Sequence, residues 1–190
     1  MKKQIAAAVL SGMLVLGSVV PALAQEPATA TGTVSITGTP GFVTVAPINF
    51  GDATLEGTIQ SVDTGASVRW AVEDLSGTGS GWTVNIKATA FTIDEAGPNQ
   101  GETIPLTGFE VVLPETAINP ETGTLSPEPL SPLDEATALT TVDQLFLSAA
   151  QDTGMGKYTL APTFALELPV ATYAGNYVST VTVTYSAGNP

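Results

Sequence analysis

The sequence predicts an all-β fold: an antiparallel β-sandwich with Greek-key, Ig-like connections and a proline-rich excursion over its surface. Short runs of alternating apolar residues recur along the chain, with the period of two that is typical of half-buried strands. Turns rich in glycine and proline separate these runs, and the 190 residues include 19 glycines and 14 prolines. Residues 131–139 alone show a weak helical pattern. Many short strands without a long helix favour two antiparallel sheets packed face to face.

The first 24 residues predict a secretory signal peptide. Lys2 and Lys3 precede an apolar run over residues 5–20, and a small-x-small cleavage site ends at Ala24. The run is about 16 residues long, whereas a membrane-spanning helix needs roughly 20. We therefore expect cleavage after Ala24 and no membrane insertion of the mature chain.

The mature chain is predicted to form a single domain over residues 33–190. Residues 25–32 are small and polar and predict a flexible leader. Residues 33–37 alternate as a first strand, a turn follows at 38–41, and residues 42–45 form a second short strand.

Two alternating runs flank a glycine-rich turn in the middle of the chain. The alternation places Trp70 on the inward face of the first run and Trp82 on the inward face of the second. The turn has glycines at alternate positions, which supply the positive φ angles that hairpin connections often need: Gly77, Gly79 and Gly81. We predict a hairpin whose two tryptophans are neighbours in the core.

Residues 113–133 depart from this pattern. They contain five of the 14 prolines, too many for a central strand, because proline cannot donate to the ladder. This is the predicted excursion over the surface.

The chain has no histidine and no cysteine, which removes the usual general base, the thiolate nucleophile and the soft metal ligands. Carboxylate pairs or a Ser–Lys dyad remain for catalysis, but the adjacent acids Asp94 and Glu95 are typical of a solvated turn. We predict that the protein is not an enzyme and has no cofactor. The acidic loop at residues 94–102 offers oxygen ligands at no EF-hand spacing, so weak Ca²⁺ binding stays open beside a plain acidic turn.

The net charge is −13, and loss of Lys2 and Lys3 with the signal peptide makes the mature chain more negative still. Such a surface repels nucleic acid and anionic lipids, so neither is an expected partner. It also repels other anionic polymers at long range. Binding to such a polymer must therefore come from short-range contacts or from bridging cations.

Two parts of the chain resemble the WxL domain of bacterial cell-surface proteins. The matching residues are Asp74, Gly77, Thr78, Gly79, Gly81, Trp82, Tyr173, Gly175, Tyr177 and Pro190. Phe50-Gly51 and residues 154–158 and 166–170 add to the likeness, which covers most of residues 33–190. The departures are Ser76 for the usual Arg, Val84 for the Leu of the first motif, and a second motif that reads Val183-Thr184-Tyr185 without a Trp.

The resemblance implies a secreted, non-catalytic protein of the cell surface or cell wall. It would associate non-covalently with peptidoglycan or another cell-wall polymer and act beside other surface proteins. The candidate wall-binding residues are those of the two motifs: Trp82, Thr83, Val84, Val183, Thr184 and Tyr185.

Strand alternation qualifies this binding site. It places Trp82 and Val84 on the same face of the first motif strand, and Val183 and Tyr185 on the same face of the second. We expect both faces to point inward, with the two strands meeting across the core. The ligand surface would then be the face of Thr180, Thr182 and Thr184, or the loop at residues 77–80.

Two other functions are compatible with the sequence. One is a structural subunit of an extracellular filament or coat, in which the strand at residues 33–37 adds to the exposed sheet edge of a neighbour. The other is a secreted enzyme that relies on carboxylates alone.

Overall fold

The structure is a computed structural model that describes residues 33–65, 68–121 and 128–188. Ile36–Pro190 form one compact unit. The signal peptide predicted for residues 1–24 and the leader predicted for residues 25–32 lie outside the described residues. Over the three described ranges, the chain has no helix with the length and hydropathy of a membrane span.

The described residues form short β-strands joined by turns and by two single-turn 3-10 helices, at Leu106–Gly108 and Glu115–Ala117. In chain order the strands are β1 (Thr39–Thr44), β2 (Gln60–Asp63), β3 (Trp70–Leu75), β4 (Trp82–Ala88), β5 (Phe91–Ile93), β6 (Thr103–Ile104), β7 (Phe109–Val112), β8 (Ile118–Pro120), β9 (Thr137–Ala138), β10 (Gln144–Ala149), β11 (Gly156–Leu160), β12 (Thr163–Leu168), β13 (Tyr177–Val178) and β14 (Val181–Ala187).

The strands form four sheets, with the orders β1-β3-β11-β8, β10-β4-β14, β2-β12-β7-β9 and β13-β5-β6. Every pairing within them is antiparallel. The predicted all-β, antiparallel, sandwich-like class is confirmed.

Inward-facing side chains from all four sheets build one apolar core. The Trp70 ring of β3 lies 5.4 Å from the ring centres of Phe146 on β10 and Phe164 on β12, so one side chain ties three sheets together. Its Nε1 donates to the Ala46 carbonyl oxygen at 3.0 Å, which satisfies the polar end of a buried indole. With no disulfide available, burial of aromatic area of this kind must hold the sheets together.

The predicted hairpin around the glycine-rich turn is wrong. β3 lies between β1 and β11, and β4 lies between β10 and β14, so residues 76–81 cross from one sheet to another. The tryptophans are both buried, but Trp70 packs on phenylalanines and Trp82 packs on Tyr185. Period-two alternation identifies a half-buried strand without identifying its partner, and positive-φ glycines serve a crossing as well as a hairpin.

The first predicted strand, at residues 33–37, is also wrong. These residues have no strand structure, and β1 begins at Thr39 and runs through the predicted turn. The pairing of β1 with β3 shifts register between Thr39 and Phe42, which accommodates Pro40, a residue without an N–H to donate.

Residues 113–133 contain an edge strand as well as surface segments. β8 pairs with β11 at one end of its sheet, and its Ile118 is buried. An edge position is where a proline-rich segment can join a sheet. Residues 122–127 lie outside the described residues.

The weak helical pattern at residues 131–139 does not form a helix. The Ser131 hydroxyl donates to the Phe146 carbonyl oxygen at 2.9 Å and accepts from the Leu133 N–H at 3.1 Å. These bonds hold the backbone in a turn that leads into β9, a short local alternative to helical bonding that Ser often provides.

Candidate functional site

The two motif strands are neighbours in one sheet. β4 pairs with β14 in antiparallel register, with Val84 opposite Tyr185 and Ile86 opposite Val183. The expectation that these strands meet across the core is therefore wrong, because they share a ladder of hydrogen bonds instead. The inward orientation of the motif side chains is confirmed: Trp82 and Val84 are fully buried, and Val183 and Tyr185 pack against the core.

Trp82 is the centre of this inward face. Its ring centre lies 5.7 Å from that of Tyr185, and its Nε1 donates to the Gly154 carbonyl oxygen at 3.1 Å. Gly154 has φ 66°, and a Cβ there would lie 3.0 Å from the indole and would overlap Ala149. Only glycine fits this position, which gives a packing reason for the glycine-containing segment at residues 154–158.

Tyr185 links the motif sheet to the neighbouring sheet. The hydroxyl end of its ring lies against Gly41 of β1, where no Cβ can be accommodated. Burial raises the pKa of Tyr185 to about 12, and the nearby charge of Asp74 on β3 adds to the effect. The altered second motif thus carries its aromatic ring at Tyr185, two residues after the position of the family's Trp and on the same inward face.

The crossing between β3 and β4 is fixed by polar contacts. Asp74 is buried, and its carboxylate accepts the Ser76 N–H at 2.9 Å. The hydroxyls of Ser76, Thr78 and Ser80 then form an exposed chain of hydrogen bonds, each 3.0 Å long. A Cβ at Gly81, which has φ 72°, would lie 2.5 Å from the Ala149 carbonyl oxygen. The crossing therefore requires glycine at this position.

The opposite side of β4 and β14 is polar. We call this the polar face, and it consists of Thr83, Asn85, Lys87, Thr182, Thr184 and Ser186. The three β14 side chains are exposed, Asn85 and Lys87 are half-buried, and Thr83 is buried. No Asp or Glu occurs in β4, β10 or β14, although the chain has 18 acidic residues. The Lys87 ammonium pairs with Asp143, just before β10, at 3.1 Å.

A groove of about 1020 Å³ lies elsewhere in the compact unit. One wall is the segment at residues 48–55 and the other is the segment at residues 172–179. Gly175 packs against Ile93, where a larger residue would overlap, and the Tyr177 hydroxyl donates to the Tyr173 carbonyl oxygen at 3.0 Å. Burial raises the pKa of Tyr177. The Tyr-x-Gly-x-Tyr motif therefore builds a compact turn at the edge of this groove.

The acidic loop at residues 94–102 is tied to the same turn. The Asn99 side chain donates to the Ala174 carbonyl oxygen at 2.9 Å, and the Asn176 side chain donates to Glu95 at 3.3 Å. Among the side chains that the structure describes, no three acidic groups are clustered to hold a metal ion. The absence of a cofactor stays a prediction, and weak Ca²⁺ binding stays open beside it.

A family model described as "WxL domain surface cell wall-binding" matches residues 21–182. The chain belongs to the WxL family. The match ends just before Val183, so the altered second motif of this WxL chain lies beyond it. No curated protein and no solved structure gives a significant match.

In this WxL fold, Thr184 alone among the six predicted wall-binding residues has an exposed side chain. Trp82, Thr83 and Val84 are buried, so they are available for packing rather than for direct contact. Asn85, Lys87 and Ser186 were missed as candidates. Period-two alternation would have found them, because they share the outward side with Thr184.

Proposed function

We propose that this WxL chain is a secreted, non-catalytic surface protein that associates non-covalently with peptidoglycan or another cell-wall polymer through its polar face. The observation that carries the proposal is the outward row of polar side chains on β4 and β14, which contains no acidic residue although the chain has a net charge of −13. The net negative charge repels an anionic polymer at long range, so attraction must come from short-range contacts. On the polar face these contacts are hydroxyls, an amide and the Lys87 ammonium, which is paired with Asp143.

The geometry of the polar face suits a neutral, hydrogen-bonding polymer. Side chains on neighbouring strands are about 4.8 Å apart, and those at alternate positions along one strand are about 7 Å apart. Thr182 and Thr184 are β-branched and therefore restricted at χ1, so little side-chain entropy is lost when they bind. Sugar hydroxyls and peptide amides supply matching donors and acceptors.

The family supports a binding role rather than a catalytic one, since its description is that of a surface cell wall-binding domain. The lack of histidine and cysteine in the sequence agrees with this role. Association with other surface proteins is part of the proposal.

The test is co-sedimentation of the exported protein with purified cell-wall sacculi. The double variant Thr182→Ala/Thr184→Ala should bind at least several-fold more weakly than wild type. Its unfolding free energy should change by no more than about 1 kcal/mol, since both side chains are exposed on the surface. The matched control is Thr44→Ala/Thr103→Ala, which removes exposed threonines from two other sheets and should bind normally. Unchanged binding by the first variant would show that the polar face is not the contact surface.

Salt and chelator separate the possible origins of binding. Short-range contacts between neutral groups are little screened, so binding should persist at moderate salt. A steep loss with salt would indicate that Lys87 acts as a charge contact, and a loss with chelator would indicate bridging divalent cations. If all the protein stays in the supernatant at moderate salt, the proposed association is wrong.

A further inference from the structure

The groove is lined almost entirely by apolar and uncharged polar residues. Phe50 inserts into it from the wall at residues 48–55, with its ring centre 6.0 Å from Phe91 and 5.9 Å from Phe109. Leu166 and Leu168 of β12 complete this part of the lining. Asp52 is the one charged residue among those that line the groove, in a chain with 18 acidic residues. The groove therefore suits a neutral apolar occupant.

Three polar side chains at the rim form hydrogen bonds within the protein itself. The Asn176 side chain donates to Glu95, the Ser179 hydroxyl donates to the Thr89 carbonyl oxygen at 2.6 Å, and the Thr172 hydroxyl donates to the Pro169 carbonyl oxygen at 2.6 Å. A sugar entering the groove therefore finds these three donors already engaged, and burial of its hydroxyls without partners is unfavourable. Apolar side chains carry no such penalty.

Two strand edges flank the groove. β2 ends the sheet β2-β12-β7-β9 and contributes Val62, and β13 ends the sheet β13-β5-β6 and contributes Tyr177 and Val178. Over the described ranges, neither strand pairs with a second partner on its outer edge. An extended segment lying between them can form backbone hydrogen bonds with an edge while its alternate side chains enter the groove.

The chain itself contains a segment with this chemistry. Residues 33–37 are uncharged, lack strand pairing and place apolar side chains at alternate positions. Val34 is 82% exposed and Ile36 is 87% exposed, which is unusual for β-branched apolar residues with strand spacing. In an extended chain the two side chains point to the same side, about 7 Å apart.

We propose that residues 33–37 of one copy of the chain insert into the groove of a second copy, with Val34 and Ile36 buried against its apolar lining and the backbone added to a strand edge. The segment and the groove are different surfaces, so the contact is heterologous and leaves a free segment and a free groove at the two ends. Repetition of the contact produces an open assembly, or a ring if the rotation between copies closes. The polar face is not part of this contact, so wall binding and assembly are separable.

The test compares molar masses by light scattering on the exported protein, at a salt concentration that screens the repulsion between acidic copies. Wild type should show a mass that rises with protein concentration beyond that of two copies. Val34→Ser/Ile36→Ser removes the apolar side chains without adding charge, and Val178→Asp places a charge in the groove at an exposed position. Each variant alone should remain monomeric. Val142→Ser, which removes an apolar side chain that is 70% exposed outside both surfaces, should assemble like wild type.

Mixing the two variants is the decisive measurement. Val34→Ser/Ile36→Ser keeps an intact groove, and Val178→Asp keeps an intact segment. An equimolar mixture should therefore form a complex of one copy of each variant and grow no further. Denaturation midpoints close to wild type for both variants establish that they are folded. The proposal is overturned if wild type stays monomeric, if the serine variant assembles, or if the mixture does not associate. If the amides of Val34 and Ile36 are protected from hydrogen exchange in a monomer, the segment binds its own chain. If soluble wall oligosaccharides prevent the two variants from associating, the groove is a glycan site. Either result also overturns the proposal.

Discussion

At the residue scale, Trp82 decides how the first motif acts. Its side chain is fully buried, packs on Tyr185 and donates to the Gly154 carbonyl oxygen. We expect Trp82→Ala to lower the unfolding free energy by about 3–5 kcal/mol, because it leaves a large cavity. Wall binding should then fall because the folded fraction falls. Chemical denaturation, measured beside sacculus binding, checks both effects.

Two comparisons sharpen the Trp82 experiment. Trp82→Phe keeps an aromatic ring but leaves the Gly154 carbonyl oxygen without its donor, so we expect a smaller loss than with alanine, of about 1–3 kcal/mol. Thr184→Ala serves as the exposed control on the partner strand. If Trp82→Ala is as stable as wild type yet no longer binds sacculi, the tryptophan is an exposed contact and its assignment to the core is wrong.

Gly154 provides a second prediction at this scale. Gly154→Ala should be clearly more destabilising than Gly57→Ala, although both glycines have φ near 70°. A Cβ at Gly57 has no atom within 4 Å, so alanine there loses only the energy of holding a non-glycine residue in the left-handed region, about 1 kcal/mol. Alanine at Gly154 also overlaps Ala149 and contacts the indole, which adds about 1–3 kcal/mol. Thermal or chemical unfolding of the pair checks this, and equal losses would mean that the turn moves away from Trp82 at little cost.

At the element scale, the contact of β14 with β1 is sensitive to alkaline pH through Tyr185. The folded protein raises the pKa of this phenol from 10.0 to about 12, so it holds the proton more tightly than the unfolded chain does. This contribution to stability is complete below pH 10 and is lost as the pH rises towards 12. We expect the denaturation midpoint to fall across that window, and to fall less in Tyr185→Phe.

Other groups titrate in the same window, so the difference between variants is the informative quantity. The pKa of Lys157 is raised by its hydrogen bond to Glu73 and by the charge of that carboxylate, and its contribution is likewise lost as the pH rises. Tyr173→Phe, which removes an exposed phenol, is the matched control and should follow wild type. An equal fall in Tyr185→Phe and wild type would contradict the prediction.

The elements themselves show what the sequence predicts well. Alternation correctly assigned inward and outward faces on β3, β4 and β14, because each of these strands has one face on the core. Partner strands were not predictable in the same way. The link from β3 to β4 has the composition of a hairpin turn, and only the tertiary contacts of Gly81 with Ala149 reveal a crossing between sheets.

At the scale of the whole molecule, the acidic composition predicts a response to salt. With a net charge of −13, the compact state suffers repulsion that the unfolded chain partly relieves. The screening length falls from about 30 Å at 0.01 M salt to about 8 Å at 0.15 M. We expect the melting temperature to rise over this range, because salt screens the repulsion between acidic groups. Exposed ion pairs such as Lys87–Asp143 contribute little to stability, so screening them costs little.

A variant with less charge provides the control. Replacement of the exposed acids Asp94, Asp134 and Glu135 by Asn or Gln lowers the repulsion, so its melting temperature should gain less from added salt than that of wild type. Differential scanning calorimetry or fluorescence checks both proteins. A melting temperature that falls with salt would show that attractive charge contacts outweigh the repulsion.

The whole-molecule features were predictable to different degrees. The all-β class and the family followed from patterns that are local in sequence: strand alternation, turn glycines and short motifs. The polar face and the groove were not predictable as sites, because each is assembled from segments that are far apart in the chain. Thr182 lies opposite Lys87 because β14 pairs with β4, and the Phe50 ring packs against Phe109 in the core. Neither contact is encoded by residues that are close in sequence.

The pairing of β4 with β14 also has a consequence for the order of folding. The two strands are about 100 residues apart in sequence, and contacts of such long range form slowly because loop entropy is lost before they form. A ribosome delivers the chain from its N terminus, so Trp82 emerges long before the strand that covers it. During that interval the apolar side of β4 is open to chaperones, proteases and other nascent chains. A chain that stops before Val181 therefore lacks both the partner strand on one edge of β4 and the tyrosine ring that packs on Trp82.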